Sequence, residues 1–128
     1  MSAAMRILIV DDESCIVDEV CDFLRRRGHE PVPAGSVEEA ARTLDTAPPF
    51  DVVLTDMKMP QGSGLDVLRA CNRTRPPRPT TLLMTGQSDD GDVERATAEG
   101  ALSVLWKPLS LRRIVEALAL VERYRAAD

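Results

Sequence analysis

The sequence predicts an α/β protein: a doubly wound, five-stranded parallel sheet covered by five helices. Two observations predict it. Runs such as Ile7-Leu8-Ile9-Val10 and Val52-Val53-Leu54 are continuously apolar rather than alternating, as strands buried on both faces are. Each run is followed by a segment with apolar residues at helical spacing, so strand and helix alternate along the chain. Right-handed crossovers then leave few topologies. The length, 128 residues, suits one domain over residues 1 to 128, with a core that needs no staples.

The first strand is Arg6 to Val10, ending in Asp11-Asp12. After Ser14, the positions Ile16, Val17, Val20, Phe23 and Leu24 mark a helix that Gly28 stops. Glu30 to Pro33 carries two prolines and fits only an edge strand, where a missing donor does no harm. Ser36 caps the second helix, with Glu39 completing a capping box; Ala40, Ala41 and Leu44 form its buried face, and Pro48-Pro49 terminate it. Strand three is Asp51 to Thr55, followed by Asp56 and a helix from Gly64 to Arg73. A proline-rich connector leads to strand four, Thr80 to Met84, which ends in Thr85-Gly86. A polar loop, Gln87 to Gly91, precedes a weak helix near Asp92 to Glu99 that ends at Gly100. Ala101 to Trp106 is strand five, closed by Lys107-Pro108. Ser110 caps a last helix with apolar positions Ile114, Val115, Leu118 and Val121.

Composition narrows the function. The net charge of −5 argues against direct nucleic-acid binding by this chain, because phosphate contacts need a basic footprint. The one basic run, Arg25-Arg26-Arg27, reads as a solvated helix end. Cys15, Cys21 and Cys71 are odd in number and lack C-x-x-C spacing, so they read as reduced thiols in a cytoplasmic protein. No apolar run reaches the roughly 18 residues of a membrane span, and Met1 to Met5 lacks the charged start of a signal peptide. Met57 and Met59 read as packing, and His29 as a surface turn residue without a role.

Chemistry collects at the carboxyl ends of the strands, which in a parallel sheet share one edge. Asp11 and Asp12 come from strand one, Asp56 from strand three, Thr85 from strand four and Lys107 from strand five. Crowded carboxylates repel, so they retain a proton or recruit a cation, and hard oxygen donors suit Mg²⁺. A carboxylate nucleophile, a divalent metal, an ammonium and a hydroxyl together serve phosphoryl transfer, with an aspartyl phosphate as product. Taken alone, Asp11-Asp12 before a helix would serve as N-terminal caps, Thr85 as a strand-end hydroxyl and Lys107 as a solvated loop residue. The set in order outweighs these separate readings.

The motifs "ILIVDDE", "VVLTDMKMPQGSGLDVL", "LLMTG" and "KP" after "GALSVLW" resemble the receiver domain of two-component response regulators over the whole chain. The resemblance implies a flavodoxin-like strand order 2-1-3-4-5 and Mg²⁺-dependent phosphorylation of Asp56 by a sensor histidine kinase or phosphotransfer protein. It also implies that Asp12 binds the metal directly, Asp11 through water, and Lys58 through its backbone carbonyl, with Asp56 completing the set. Thr85 and Lys107 would hold the phosphoryl group. Two departures stand out. The aromatic residue the family usually carries three positions before the lysine is Val104 here, which has no ring to swing. Trp106 stands directly before Lys107, on the side of the strand that Val104 shares.

The expected function is a phosphorylation-controlled signalling module, not an enzyme. Its fourth helix, fifth strand and fifth helix would form the face that controls a partner or output domain, and Trp106 would anchor a contact there, with a second copy as one occupant. The chain has no room for an output domain of its own. The rival is a magnesium-dependent phosphatase or hydrolase with an aspartyl-phosphate intermediate. It needs an acidic residue just after the nucleophile, where Met57-Lys58 stand, and a cap for its substrate. A third reading is a pseudo-receiver that binds partners constitutively.

Overall fold

The computed structural model describes residues 4–86 and 91–126. Counting only the strands of the main sheet, the elements run β1 (Arg6–Val10), α1 (Ser14–Arg26), β2 (Glu30–Ala34), α2 (Val37–Thr46), β3 (Val52–Asp56), α3 (Gly64–Asn72), β4 (Thr80–Thr85), α4 (Asp92–Ala98), β5 (Ser103–Trp106) and α5 (Leu111–Ala126). The strands are all parallel, in the order β2-β1-β3-β4-β5, which is the flavodoxin-like arrangement expected from the sequence. Most of the expected polar loop, residues 87–90, lies outside the described residues.

The central strands explain the continuous apolar runs. Every residue of β3 and β4 is buried, because helices cover both faces. Ile7, Ile9, Leu54, Leu82 and Met84 pack against Val17, Val20 and Leu24 of α1 and Ile114, Leu118 and Val121 of α5. Leu8, Val10 and Val53 pack on the other face against Ala40 of α2 and Val67 and Cys71 of α3. A third cluster joins Met57, Leu83, Leu65 and Leu68 of α3, and Ala96 of α4, with Val93 and Val104 packed against it. Among the described residues no helix is long and apolar enough to cross a membrane.

Edge strand β2 uses its prolines as expected. Glu30 donates its N–H to Met5 O at 2.9 Å, and Ala34 accepts from Asp11 N–H at 3.1 Å. Even positions therefore face β1, while Pro31 and Pro33 stand at the outward-facing positions, where no ladder bond is lost.

Several boundaries and caps differ from the sequence expectation. β3 and β4 run one residue further and take in Asp56 and Thr85, so both site residues are held by ladder bonds rather than by loops. β5 starts only at Ser103, because Ala101 is spent on the end of α4: its N–H donates to Ala96 O at 3.0 Å. The Ser36 cap forms, with Glu39 N–H donating to Ser36 Oγ at 3.1 Å, but the capping box does not close. Glu39 instead accepts from Gly35 N–H at 2.6 Å. A complete box occurs at Ser63 and Asp66, at the start of α3. Neither Asp11 nor Asp12 caps α1, whose N-cap is Glu13.

His29 is buried rather than a surface turn residue. Gly28, at φ 89°, ends α1 in the left-handed conformation; His29 N–H returns to Leu24 O and Gly28 N–H to Arg25 O. This turns the imidazole inward, where Nδ1 accepts the Met5 N–H at 3.1 Å. Burial pulls the His29 pKa below 6.5.

Candidate functional site

β1 and β3 pair in register, so the chain leaving Val10 emerges beside the chain leaving Thr55. Asp11 lies immediately after β1 and Asp56 is the last residue of β3. Each of Asp11, Asp12 and Asp56 offers a carboxylate oxygen within 4.8 Å of the others. Asp11 is buried and its Oδ1 accepts the Glu13 N–H at 3.0 Å, which fixes the rotamer. Asp12 is exposed. Two shielded carboxylates and one open to water suit a hard cation that keeps part of its hydration shell, so the donor set fits Mg²⁺.

Lys107 enters from the end of β5. Its backbone N–H donates to Thr85 O at 2.8 Å, which fixes where the side chain departs. Nζ then lies 3.3 Å from Asp56 Oδ2, 3.5 Å from Asp11 Oδ2 and 4.0 Å from Glu13 Oε1. Sequence reasoning misses Glu13; the third acid of "DDE" is its only signal. Thr85 is buried at the end of β4, opposite Trp106 in register. A cleft of about 220 Å³ above Asp56 is lined by Asp56, Lys58, Thr85, Gly86 and Lys107.

The electrostatics agree with the geometry. Burial raises the Asp56 pKa and the charge of Asp11 adds to this; Lys107 and the Lys58 backbone N–H pull it back without cancelling the rise. Burial works to lower the Lys107 pKa, but Asp56 and Asp11 outweigh it and the ammonium is held more firmly. The result is a buried carboxylate, crowded by acid and faced by a fixed cation.

The start of α3 holds the loop behind Asp56. Lys58–Met59 and Gly62–Ser63 form a short antiparallel ladder. Gly64 N–H donates to Met57 O at 2.9 Å, and Met57 N–H to Met84 O at 2.9 Å. Both backbone groups of the residue after Asp56 are thus bound.

All the residues expected at the site converge at this edge. Trp106 does not join them. It is half exposed, while Val104 packs into the cluster around Met57.

A parallel sheet of this order, with three acids and a lysine at its carboxyl edge, defines the receivers of two-component signalling. The chain belongs to that family: residues 7–119 match the response regulator receiver domain. It is 33% identical over 121 residues to the phosphate regulon transcriptional regulatory protein PhoB of Klebsiella pneumoniae, covering 94% of this chain and 52% of PhoB. It is 36% identical over 124 residues to the transcriptional regulatory protein PdtaR of Mycobacterium tuberculosis, covering 94% of this chain and 58% of PdtaR. The chain thus spans about half the length of these curated relatives. The crystal structure of a response regulator receiver domain protein from Clostridium thermocellum superposes with a TM-score of 0.85 at 33% identity, covering 98% of this chain and all of that one.

Proposed function

We propose that Asp56 accepts a phosphoryl group from a histidine of a sensor kinase or phosphotransfer protein, in a Mg²⁺-dependent reaction, and that the phosphorylated domain controls a partner or output domain. The observation that carries this is the Lys107 ammonium, held 3.3 Å from Asp56 and 3.5 Å from Asp11 beside a three-carboxylate cluster.

In this reading one carboxylate oxygen of Asp56 attacks phosphorus. The phosphorus–nitrogen bond to the donor imidazole breaks, and its electron pair leaves with the ring. Lys107 meets the charge on the transferred oxygens, and Thr85, which lines the same cleft, supplies a hydroxyl. Asp11, Asp12, Asp56 and the Lys58 carbonyl would hold Mg²⁺, which when bound supplies charge neutralisation at the phosphoryl oxygens. Met57 follows Asp56 and is fully packed, so no acid stands there to drive hydrolysis, which favours a lasting signal over turnover. We read residues 1 to 128 as one receiver domain acting in the cytoplasm.

The output surface is the face of α4, β5 and α5. The half-exposed Trp106, directly before Lys107, suits a contact with a partner or a second copy. Trp106→Ala should weaken that contact by about 2 kcal/mol and leave phosphorylation intact. Equal affinity in both forms would return Trp106 to packing.

The deciding experiment is incubation with acetyl phosphate, with and without Mg²⁺, followed by intact-mass measurement. One phosphoryl group per chain, only with Mg²⁺, is the expected result. Continuous phosphate release without accumulation would instead make the protein a hydrolase, and no gain would make it a constitutive binding module.

A further inference from the structure

We propose that Thr55 is a positioning residue for the site: its buried hydroxyl fixes the peptide unit between Asp56 and Met57, and with it the phosphoacceptor carboxylate and the Lys58 carbonyl. The inference rests on the phosphoacceptor and Mg²⁺ reading of the site.

Thr55 interrupts the apolar run of β3 and is fully buried. A hydroxyl there costs the fold unless it finds a partner. Its Oγ1 donates to Asp56 O at 3.0 Å. That oxygen needs the donor. Met57 N–H bonds to Met84 O of β4, so by alternation residues 55 and 57 face β4 and Asp56 faces β1. β1, however, ends at Val10, in register with Thr55, and Asp11 N–H turns away to Ala34 O of β2. Among the described residues no main-chain N–H reaches Asp56 O, and the Thr55 hydroxyl takes the place of the missing rung.

The place of this bond in the chain ties it to the site. Asp56 O and Met57 N–H are the two polar ends of one peptide unit; Thr55 holds the first and Met84 O the second. In the next unit, Gly64 N–H holds Met57 O, and Lys58 N–H donates to the Asp56 carboxylate. The backbone from the phosphoacceptor to Lys58 is thus bound at each peptide unit. Thr55 supplies the one bond of this set that a substitution removes without touching the main chain or Asp56 itself. Asp11, Asp12 and Asp56 offer oxygens within 4.8 Å of one another. Mg²⁺ demands near-octahedral geometry, so a tilt of the peptide that carries Asp56 disturbs the donor set.

The test compares the wild type with Thr55→Val, which keeps the shape and removes the hydroxyl, and Thr55→Ser, which keeps the hydroxyl and removes a methyl group. The measurements are amide exchange at Met57 in the metal-free protein, Mg²⁺ affinity by calorimetry, and the rate of phosphorylation by acetyl phosphate at saturating Mg²⁺, read by intact mass. Thr55→Val should exchange Met57 a few-fold faster relative to Leu54. It should bind Mg²⁺ about tenfold more weakly, the usual cost of losing a group that orients a ligand. Its phosphorylation should stay several-fold slower even when saturated with metal, because the carboxylate itself is displaced. Thr55→Ser should stay close to the wild type in every measurement. The positioning role is refuted if Thr55→Val keeps the wild-type Mg²⁺ affinity and rate, or if Thr55→Ser falls as far as Thr55→Val, which assigns the effect to packing of the methyl group. Should Thr55→Val fail to fold, Thr55→Cys, of similar size with a weaker donor, decides by the same measures: weakened Mg²⁺ binding supports the role, and wild-type binding and rate refute it. A wild type that gains no phosphoryl group overturns the phosphoacceptor reading, and the positioning role with it; a phosphorylated wild type with an unaffected Thr55→Val overturns the role of Thr55 alone.

Discussion

Gly64 lies against the backbone of Asp56: a methyl group at its Cα would stand 2.7 Å from the Asp56 carbonyl oxygen. A side chain there must displace either α3 or the strand end that carries the site. Gly64→Ala should therefore destabilise the protein by about 1–3 kcal/mol, the usual cost of overpacking, and slow phosphorylation of Asp56. Urea unfolding and a phosphorylation time course measure both. An unchanged unfolding midpoint would show that the contact relaxes freely.

Asp56→Asn should abolish phosphorylation, since an amide is no nucleophile, and raise stability at pH 7. The raised Asp56 pKa means that its ionised form costs the fold. That cost is fully present above the folded pKa and gone below the unfolded value of 3.8, so the stabilisation should fade as the pH falls through this range. Retained phosphorylation would move the acceptor elsewhere; a stability gain that persists at low pH would remove the charge argument.

Mg²⁺ should raise the unfolding free energy by about 2.7 kcal/mol at a hundredfold excess over its Kd, because only the fold gathers Asp11, Asp12 and Asp56. A chelator should reverse this, and Asp12→Ala should abolish it. A metal-induced rise of the same size in Asp12→Ala would exclude Asp12 as a ligand.

Stability should also depend on His29. Nδ1 accepts the Met5 N–H, which only the unprotonated atom can do, and burial holds the pKa below 6.5. For a base with a lowered folded pKa, stability is greatest above the unfolded pKa of 6.5 and falls as the pH drops from there to the folded pKa. His29→Asn keeps an acceptor and should flatten this part of the profile, while His29→Ala should cost about 1–3 kcal/mol by leaving a buried N–H unpaired. Identical pH profiles for wild type and His29→Asn would assign the slope to other groups.

The strands and the site residues are readable in the sequence because both are local signals on a regular frame. A continuous apolar run marks a buried parallel strand, and the residue at its end falls on the common edge whatever the rest does. The features that escape such a reading depend on contacts distant in sequence or on competing partners. His29 looks like a turn residue after Gly28, and only the return of the chain beside Met5 buries it. Ser36 and Glu39 have the spacing of a capping box, yet Gly35 N–H takes the carboxylate. Ser63 and Asp66 make the complete box at a helix start that the sequence does place at Gly64, although the box itself is not read there. Glu99 reads as an ordinary helix-end acid until α3 brings Arg69 beside it.

The prolines of β2 bear on how copies of this protein can aggregate. With no N–H at 31 or 33, the outer rim of that strand gives an incoming strand only acceptors, so a further strand cannot complete a ladder there. The opposite rim differs. Lys107 spends its N–H on Thr85 of β4, so the alternation turns Ser103 and Leu105 toward β4 and the backbone of Val104 and Trp106 outward, on a strand with no proline. Sheet extension is therefore one-sided. Two copies meeting at their β5 rims would present a proline-bearing β2 rim at both outer ends, so the joined sheet would stop at the pair and could not seed a fibril.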